Sequence, residues 1–330
     1  MTPFNAILVA TDFSIDGNNA VRRAALLAHQ HGAGLHILHV LKEPACRPLR
    51  EWFTPLADID LKAALARAAL RRVAVEIAGA YDVTATVEVK VGDPLQALVQ
   101  AAAHVDLVVL GRRGHGRLGT LRVGRTVERM LRVGRQPVLV VRKPADARYR
   151  KALLALDFTP GSDAAAQVGM AMAGGARTHV FHAADSFMES MLRRAGVERA
   201  VILDVVAREE AGTLARMRRS LARLGVDTRP LFFSVGRGPA DIATLQLART
   251  LGPDLIIAGK NGQSTLGAFL LGSVSGKVLA ESACDMLIVP PPRATPKAAF
   301  LLNRRAPHGK ASAGTHWMQD LPGILPRLPS

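Results

Sequence analysis

The residues best placed to do chemistry form a glycine-bounded frame late in the chain. Gly259-Lys260-Asn261-Gly262 is followed, after nine intervening residues, by Gly272-Ser273-Val274-Ser275. Glycine lets a ligand approach backbone amides closely, because no Cβ stands in the way. Where Gly272 opens a helix, the first unpaired N–H groups and the positive dipole end suit phosphate. Ser273 and Ser275 would add hydroxyls at that helix start. A carboxylate is available as well: the apolar run 152–157 (ALLALD) ends in Asp157. An Asp at a strand end can accept from the amino edge of adenine or from a ribose hydroxyl.

These residues need elements to hold them, and the chain writes those elements twice. AILVATD at 6–12 is matched by ALLALD at 152–157, VDLVVLG at 105–111 by PDLIIAG at 253–259, and QPVLVVR at 136–142 by CDMLIVP at 284–290. Asp12 and Asp157 lie 145 positions apart, Gly111 and Gly259 148 apart, so register holds but for a short insertion. Repeats of this kind come before motifs in any reading of a fold. In the first unit the periodicity predicts strands near 6–11, 35–40, 84–91, 106–111 and 137–142. Helices are predicted near 17–31, 57–80, 94–104 and 124–134. The third strand alternates apolar and polar residues and should lie near a sheet edge. The fourth and fifth are continuously apolar, as strands covered on both faces should be.

Strand–helix alternation of this length implies an α/β fold: two tandem, doubly wound, parallel five-stranded sheets of Rossmann-like type. The expected domains are 1–143 and 151–291, joined by the short linker Lys143–Arg150 and packed as an internal pseudo-dimer. Residues 292–330 read as a flexible basic tail. In a doubly wound sheet the ligand crevice opens where strand order reverses, between the first and fourth strands. Asp157 ends one of these and Gly259 the other, so two separately found features converge.

Composition narrows the function classes. Hydrophobic residues make up 49% of the chain but aromatic ones only 4%, which suits an aliphatic core and argues against an aromatic stacking platform for single-stranded nucleic acid. Cys46 and Cys284 are too far apart in sequence for a disulfide framework or thiolate cluster. No apolar run approaches the length of a membrane helix, and the expected location is the cytoplasm. The net charge of +16 attracts polyanions, although arginines scattered on solvated helix faces explain it equally well. Cys284 and Trp52 read as packing residues, Cys284 as buried and inert, and His36 and His39 as core or rim.

Two rival motifs fail. Residues 114–119 (GHGRLG) spell a dinucleotide fingerprint, but they follow a fourth strand instead of a first. Gly272 and Gly276 enclose only three residues before Lys277, too few for a phosphate-binding P-loop.

Both units resemble the universal stress protein family, whose nucleotide-binding members carry Gly-x2-Gly-x9-Gly-(Ser/Thr). The resemblance covers residues 1 to about 291. It implies an adenine nucleotide alpha-hydrolase-like fold with ATP as ligand, with or without Mg2+. The implied site in the second unit is Ala155, Leu156, Asp157, Ala183, Ala258, Gly259, Asn261, Gly262, Gly272, Ser273, Val274 and Ser275. In the first unit the matching positions are Ala10, Thr11, Asp12, Val40, Gly111, Arg113, Gly114, Gly124, Arg125 and Thr126. There Arg125 replaces the hydroxyl residue, so the second unit is the better nucleotide site. Eight Arg against one Glu in 111–135 make that segment strongly basic.

The resemblance implies a sensing or regulatory protein of the stress response, without catalytic residues or a metal. Its expected partners are adenine nucleotide, a second copy in a homodimer, and an acidic partner or nucleic acid on the Arg-rich surface. Two alternatives stand beside it. One is a slow ATP hydrolase or phosphotransferase, with Lys260 as the cation on the developing charge. The other is a non-specific nucleic-acid binder.

Overall fold

The computed structural model describes residues 4–42, 57–113, 123–260 and 272–292. The first half runs β1 (Ala6–Ala10), α1 (Ile15–His31), β2 (Gly34–Leu41), α2 (Ala57–Tyr81), β3 (Ala85–Val91), α3 (Pro94–Ala102), β4 (Leu107–Gly111), α4 (Arg125–Val133) and β5 (Val138–Val141). The second opens with β6 (Lys151–Ala155), α5 (Pro160–Ala173) and β7 (Arg177–Ala184). Two helices follow, α6 (Phe187–Arg194) and α7 (Arg199–Arg223). It ends with β8 (Phe232–Arg237), α8 (Ala240–Leu251), β9 (Leu255–Gly259), α9 (Ser273–Glu281) and β10 (Asp285–Val289). Trp52 and the whole of 293–330 fall outside the described residues.

Local chemistry sets the element ends. Helix α1 begins at Ile15, two residues before the apolar period alone suggests, because the Ser14 hydroxyl accepts from the Gly17 amide at 3.1 Å. Helix α5 begins after Thr159, which forms a capping box with Ser162, and Pro160 takes the first helical position. Helix α6 lies between β7 and α7; the equivalent stretch of the first half, 43–56, falls outside the described residues.

Each half forms a parallel sheet whose order reverses between its first and fourth strands. The halves do not stop at two sheets, however. Strand order is β3-β2-β1-β4-β5-β10-β9-β6-β7-β8 in one ten-stranded sheet. Its one antiparallel step joins β5 to β10, with Leu139 opposite Leu287. As its alternating pattern requires, β3 is an edge strand, and β8 forms the other edge.

Alternate side chains of the strands enter two apolar layers. Ile7, Val9, Val109, Leu154 and Ile257 pack with Ala24, Leu70, Met172 and Met217 of α1, α2, α5 and α7. Leu8, Leu110, Leu153, Ile256 and Ile288 pack with Leu98, Met130, Leu245 and Leu279 of α3, α4, α8 and α9. Helices therefore cover both faces, as a parallel sheet demands.

The junction between halves is held by buried charge as well as by strand pairing. Asp285, fully buried, accepts from the Arg142 amide (2.8 Å), the Lys143 amide (3.2 Å) and the Tyr149 hydroxyl (2.8 Å), and pairs with Arg23 Nε at 3.3 Å. Arg23 also lies over the Tyr149 ring, 4.2 Å from its centre. The linker is thus pinned to the last strand of the second half and the first helix of the first. Across the junction, Lys260 Nζ donates to the carbonyls of Arg132 (2.7 Å) and Gly134 (3.3 Å) at the end of α4. Arg142 Nη2 donates to the Leu279 carbonyl near the end of α9. Each half sends a cation to the negative end of the other's helix.

Replacing Asp285 with Ala would leave the Arg23 guanidinium buried without its carboxylate. We expect Asp285→Ala to lose roughly 3–5 kcal/mol in urea unfolding, and Tyr149→Phe only about 1 kcal/mol.

Candidate functional site

The turn after the first strand is built identically in the two halves. Asp157 Oδ1 accepts from the Thr159 amide (3.0 Å) and hydroxyl (2.5 Å). Asp12 Oδ1 accepts from the Ser14 amide (3.1 Å) and hydroxyl (2.5 Å). These bonds force the intervening residue into the left-handed region, with φ 63° at Phe13 and 61° at Phe158. For a phenylalanine that conformation costs on the order of 1 kcal/mol or more, and it is sustained by its surroundings. Phe158 is clasped between the His182 ring, 4.7 Å away, and the Arg216 guanidinium, 3.9 Å from its centre. His182 Nδ1 in turn lies 2.7 Å from the Leu156 carbonyl, and must carry the proton there because a carbonyl can only accept.

The fourth strand delivers the glycines to this turn. A Cβ on Gly259 would meet the Gly161 carbonyl carbon at 2.8 Å and the Ser162 amide at 3.0 Å. Only glycine permits β9 to end against the first turn of α5, beside Asp157. The frame then closes on itself: the Gly272 amide donates to the Lys260 carbonyl at 2.9 Å, and Ser275 Oγ to the Gly259 carbonyl at 2.8 Å. Helix α9 starts at Ser273 with Gly272 as its cap and without a side-chain capping bond. Its first amides are therefore left to another acceptor. Ser273 is exposed, while Ser275 is buried and uses its one proton on the strand.

Several residues singled out in the sequence come together. Ala155, Ala183, Ala258 and Val274 belong to the apolar layer on the α8–α9 face, forming a small-residue floor beside the glycine frame. Leu156 does not join them; its side chain is buried in the opposite layer. Asn261 and Gly262 fall outside the described residues.

Comparison with known proteins gives this geometry a family. The universal stress protein family model matches twice, over residues 3–142 and 148–290. The chain belongs to the universal stress protein family. It is 26% identical over 308 residues to a universal stress protein of Mycolicibacterium smegmatis, covering 86% of this chain and 97% of that one. A universal stress protein of Thermus aquaticus is 34% identical over 142 residues, or 42% of this chain and 99% of its own. The crystal structure of a universal stress protein from Archaeoglobus fulgidus superposes with a TM-score of 0.63 at 20% identity, covering 87% and 99% of the two chains.

In this two-domain universal stress protein the first crevice repeats the frame with different chemistry. A Cβ on Gly111 would meet the Asp16 carbonyl oxygen at 2.5 Å, and the Gly124 amide donates to the Arg112 carbonyl at 2.9 Å. The Arg113 amide donates to Asp16 Oδ2 at 3.1 Å. Ala10 and Val40 lie in the same apolar layer as Ala155 and Ala183. Thr11 is buried and its hydroxyl accepts from the Phe13 amide at 3.0 Å. Arg125 and Thr126 open α4 after Gly124, whereas Gly114 lies outside the described residues. Burial and the neighbouring Arg113 lower the pKa of Arg112, whose Nε and Nη2 find no hydrogen-bond acceptor among the described residues. Burial, and then Arg112, bring Arg142 down to about 10.

Sequence reasoning gave one group a different role and missed two others. Lys260 is not a cation waiting on the crevice: its ammonium is engaged at the end of α4, and burial lowers its pKa. Asp285 is the carboxylate that clamps the junction. His182, and its equivalent His39 at 2.8 Å from the Thr11 carbonyl, brace the aspartate turn. The recurrence of a His one turn-defining strand after each Asp was the available signal. His36 is indeed on the rim, between Thr86 (2.8 Å) and Glu88 (3.1 Å).

Two measurements test this construction. Gly259→Ala should cost about 1–3 kcal/mol by thermal or urea unfolding, because the new methyl meets backbone that cannot yield freely. Burial raises the Cys284 thiol to about 11, so only about one molecule in a thousand is thiolate at pH 8. In a Cys46→Ser background, thiol labelling of Cys284 should be slow under native conditions and should accelerate when the protein unfolds.

Proposed function

We propose that this chain is a cytoplasmic adenine-nucleotide-binding regulator, with ATP held in the crevice of the second half. The observation that carries the reading is the end of β9 at Gly259 lying against the first turn of α5, the helix that follows the Asp157 turn, at the reversal of strand order, where a doubly wound sheet takes its ligands. The Asp157 turn faces the base and ribose, Ala155, Ala183 and Ala258 make the apolar floor, and the capless start of α9 with Ser273 receives phosphate. The small residues along β6, β7 and β9 leave width for a planar base.

Binding, not turnover, is what this arrangement supports. Efficient phosphoryl transfer needs a cation on the developing charge and a group that positions the nucleophile. Lys260, the cation nearest the frame in sequence, is tied to the other half instead. A nucleotide held between strand ends would then act through the packing of the two halves. Lys260 follows Gly259 directly and reaches α4, so the frame and the junction share a residue.

The first crevice favours a second reading. Its surplus of positive charge around Arg112, Arg113 and Arg142 suits a polyanion as well as the phosphate end of a nucleotide.

Purified protein should release adenine nucleotide on denaturation, and calorimetry should find ATP uptake near micromolar Kd, about −8 kcal/mol. Gly272→Val should abolish the tighter uptake, while Gly124→Val spares it. Asp157→Ala should weaken it about tenfold or more, the loss of one charge-assisted hydrogen bond. A folded chain that takes up no adenylate refutes the proposal.

A further inference from the structure

On the other face of the sheet from the nucleotide crevice, the second half contains an open cavity of about 350 Å³ between β7, β8 and α7. That volume is at the small end for ligand pockets, which run from about 300 to 1,000 Å³. Ala183 points to the α8–α9 layer, whereas His182 and Val235 border this cavity on the α5–α7 side.

The lining carries both signs of charge over an apolar base. Arg237 is a fixed part of the wall: its Nη1 lies 3.6 Å from both Glu189 and Glu209, and its Nη2 donates to the Val206 carbonyl at 3.1 Å. Glu210 and Thr213 have no such commitment; neither side chain makes an ion pair or hydrogen bond among the described residues. Arg216 lies over the Phe158 ring without a carboxylate partner among them. His182 also borders the cavity, its Nδ1 engaged by the Leu156 carbonyl. The cavity thus presents the Glu210 carboxylate, without an ion pair among the described residues, and beside Asp185 the Arg216 guanidinium, whose one contact among them is the Phe158 ring.

Helix α7 supplies an independent sign. Gly212 stands in the interior of this 25-residue helix, where glycine costs roughly 0.5–1 kcal/mol against alanine. No packing contact requires it, because a Cβ there would meet nothing within 4 Å. Gly212 lines the cavity, and the position a Cβ would take there is open space. The first half lacks both features of the wall. Where β7 and β8 pair Ala184 with Arg237, β2 and β3 pair Leu41 with Val91.

We propose that this cavity is a second small-molecule site, specific to the second half, that binds a zwitterion of amino-acid size. The carboxylate of the ligand would meet Arg216, its ammonium Glu210, and its side chain the Ala184–Val235 base. The site does not depend on the nucleotide reading. It adjoins that crevice through Phe158 and His182, both of which brace the Asp157 turn.

Calorimetry on the full chain, with the common L-amino acids, putrescine and succinate as probes, tests it. At least one amino acid should bind with one site per chain, and putrescine and succinate at least about tenfold more weakly, each lacking one charge-assisted bond. Glu210→Gln and Arg216→Leu should each weaken that amino acid about tenfold. Gly212→Leu should remove it while circular dichroism shows an intact fold, and Gly272→Val should leave it unchanged. The proposal fails if no amino acid binds at millimolar concentration. It fails equally if putrescine or succinate binds as well as any zwitterion, or if binding survives Gly212→Leu.

Discussion

The absence of one carbon atom at the end of each fourth strand organises this protein. At Gly111 and Gly259 the strand ends against the backbone of the helix that follows the first strand, closer than any side chain allows. That approach brings the aspartate turn, the left-handed phenylalanine and the glycine frame into one crevice. Strain at Phe13 and Phe158 is held in place by the Asx-type bonds on one side and the histidine brace on the other. The aspartate turns are therefore held in place by the fold's own contacts.

The second organising feature is the way the halves are joined. A parallel five-stranded sheet leaves its fifth strand as an edge, and edges invite pairing. Here β5 and β10 satisfy one another within one chain, and the linker is short enough to be drawn into the seam. Asp285 binds linker, strand and helix together, while Lys260 and Arg142 cross to opposite helix ends. Because Lys260 also neighbours Gly259, a change at the second crevice has a covalently short route to the seam.

The two halves share a backbone plan but differ in their chemistry. The first has crowded guanidinium groups where the second has one engaged lysine. The second has a polar cavity behind its aspartate turn where the first pairs Leu41 with Val91. Duplication followed by divergence of side chains on a common frame accounts for both asymmetries.

Much of this was legible in the sequence. The period-two alternation of β3, the unbroken apolar runs of β4 and β5, and the doubled Asp and Gly landmarks specify strand type, edge position and the crevice. They do so because burial pattern and glycine geometry are local properties that a sequence displays directly. What it could not display was partnership across distance. The continuous ten-stranded sheet depends on two edges meeting. The direction of the Lys260 side chain depends on a helix end 126 to 128 positions away, and the role of Asp285 on a tyrosine and an arginine far earlier in the chain. The cavity behind Phe158 likewise arises only when α7 settles over β7 and β8. Local patterning determined the elements and the candidate site, and tertiary packing decided which charges are engaged, because burial leaves each of them only the partner that the fold brings within reach.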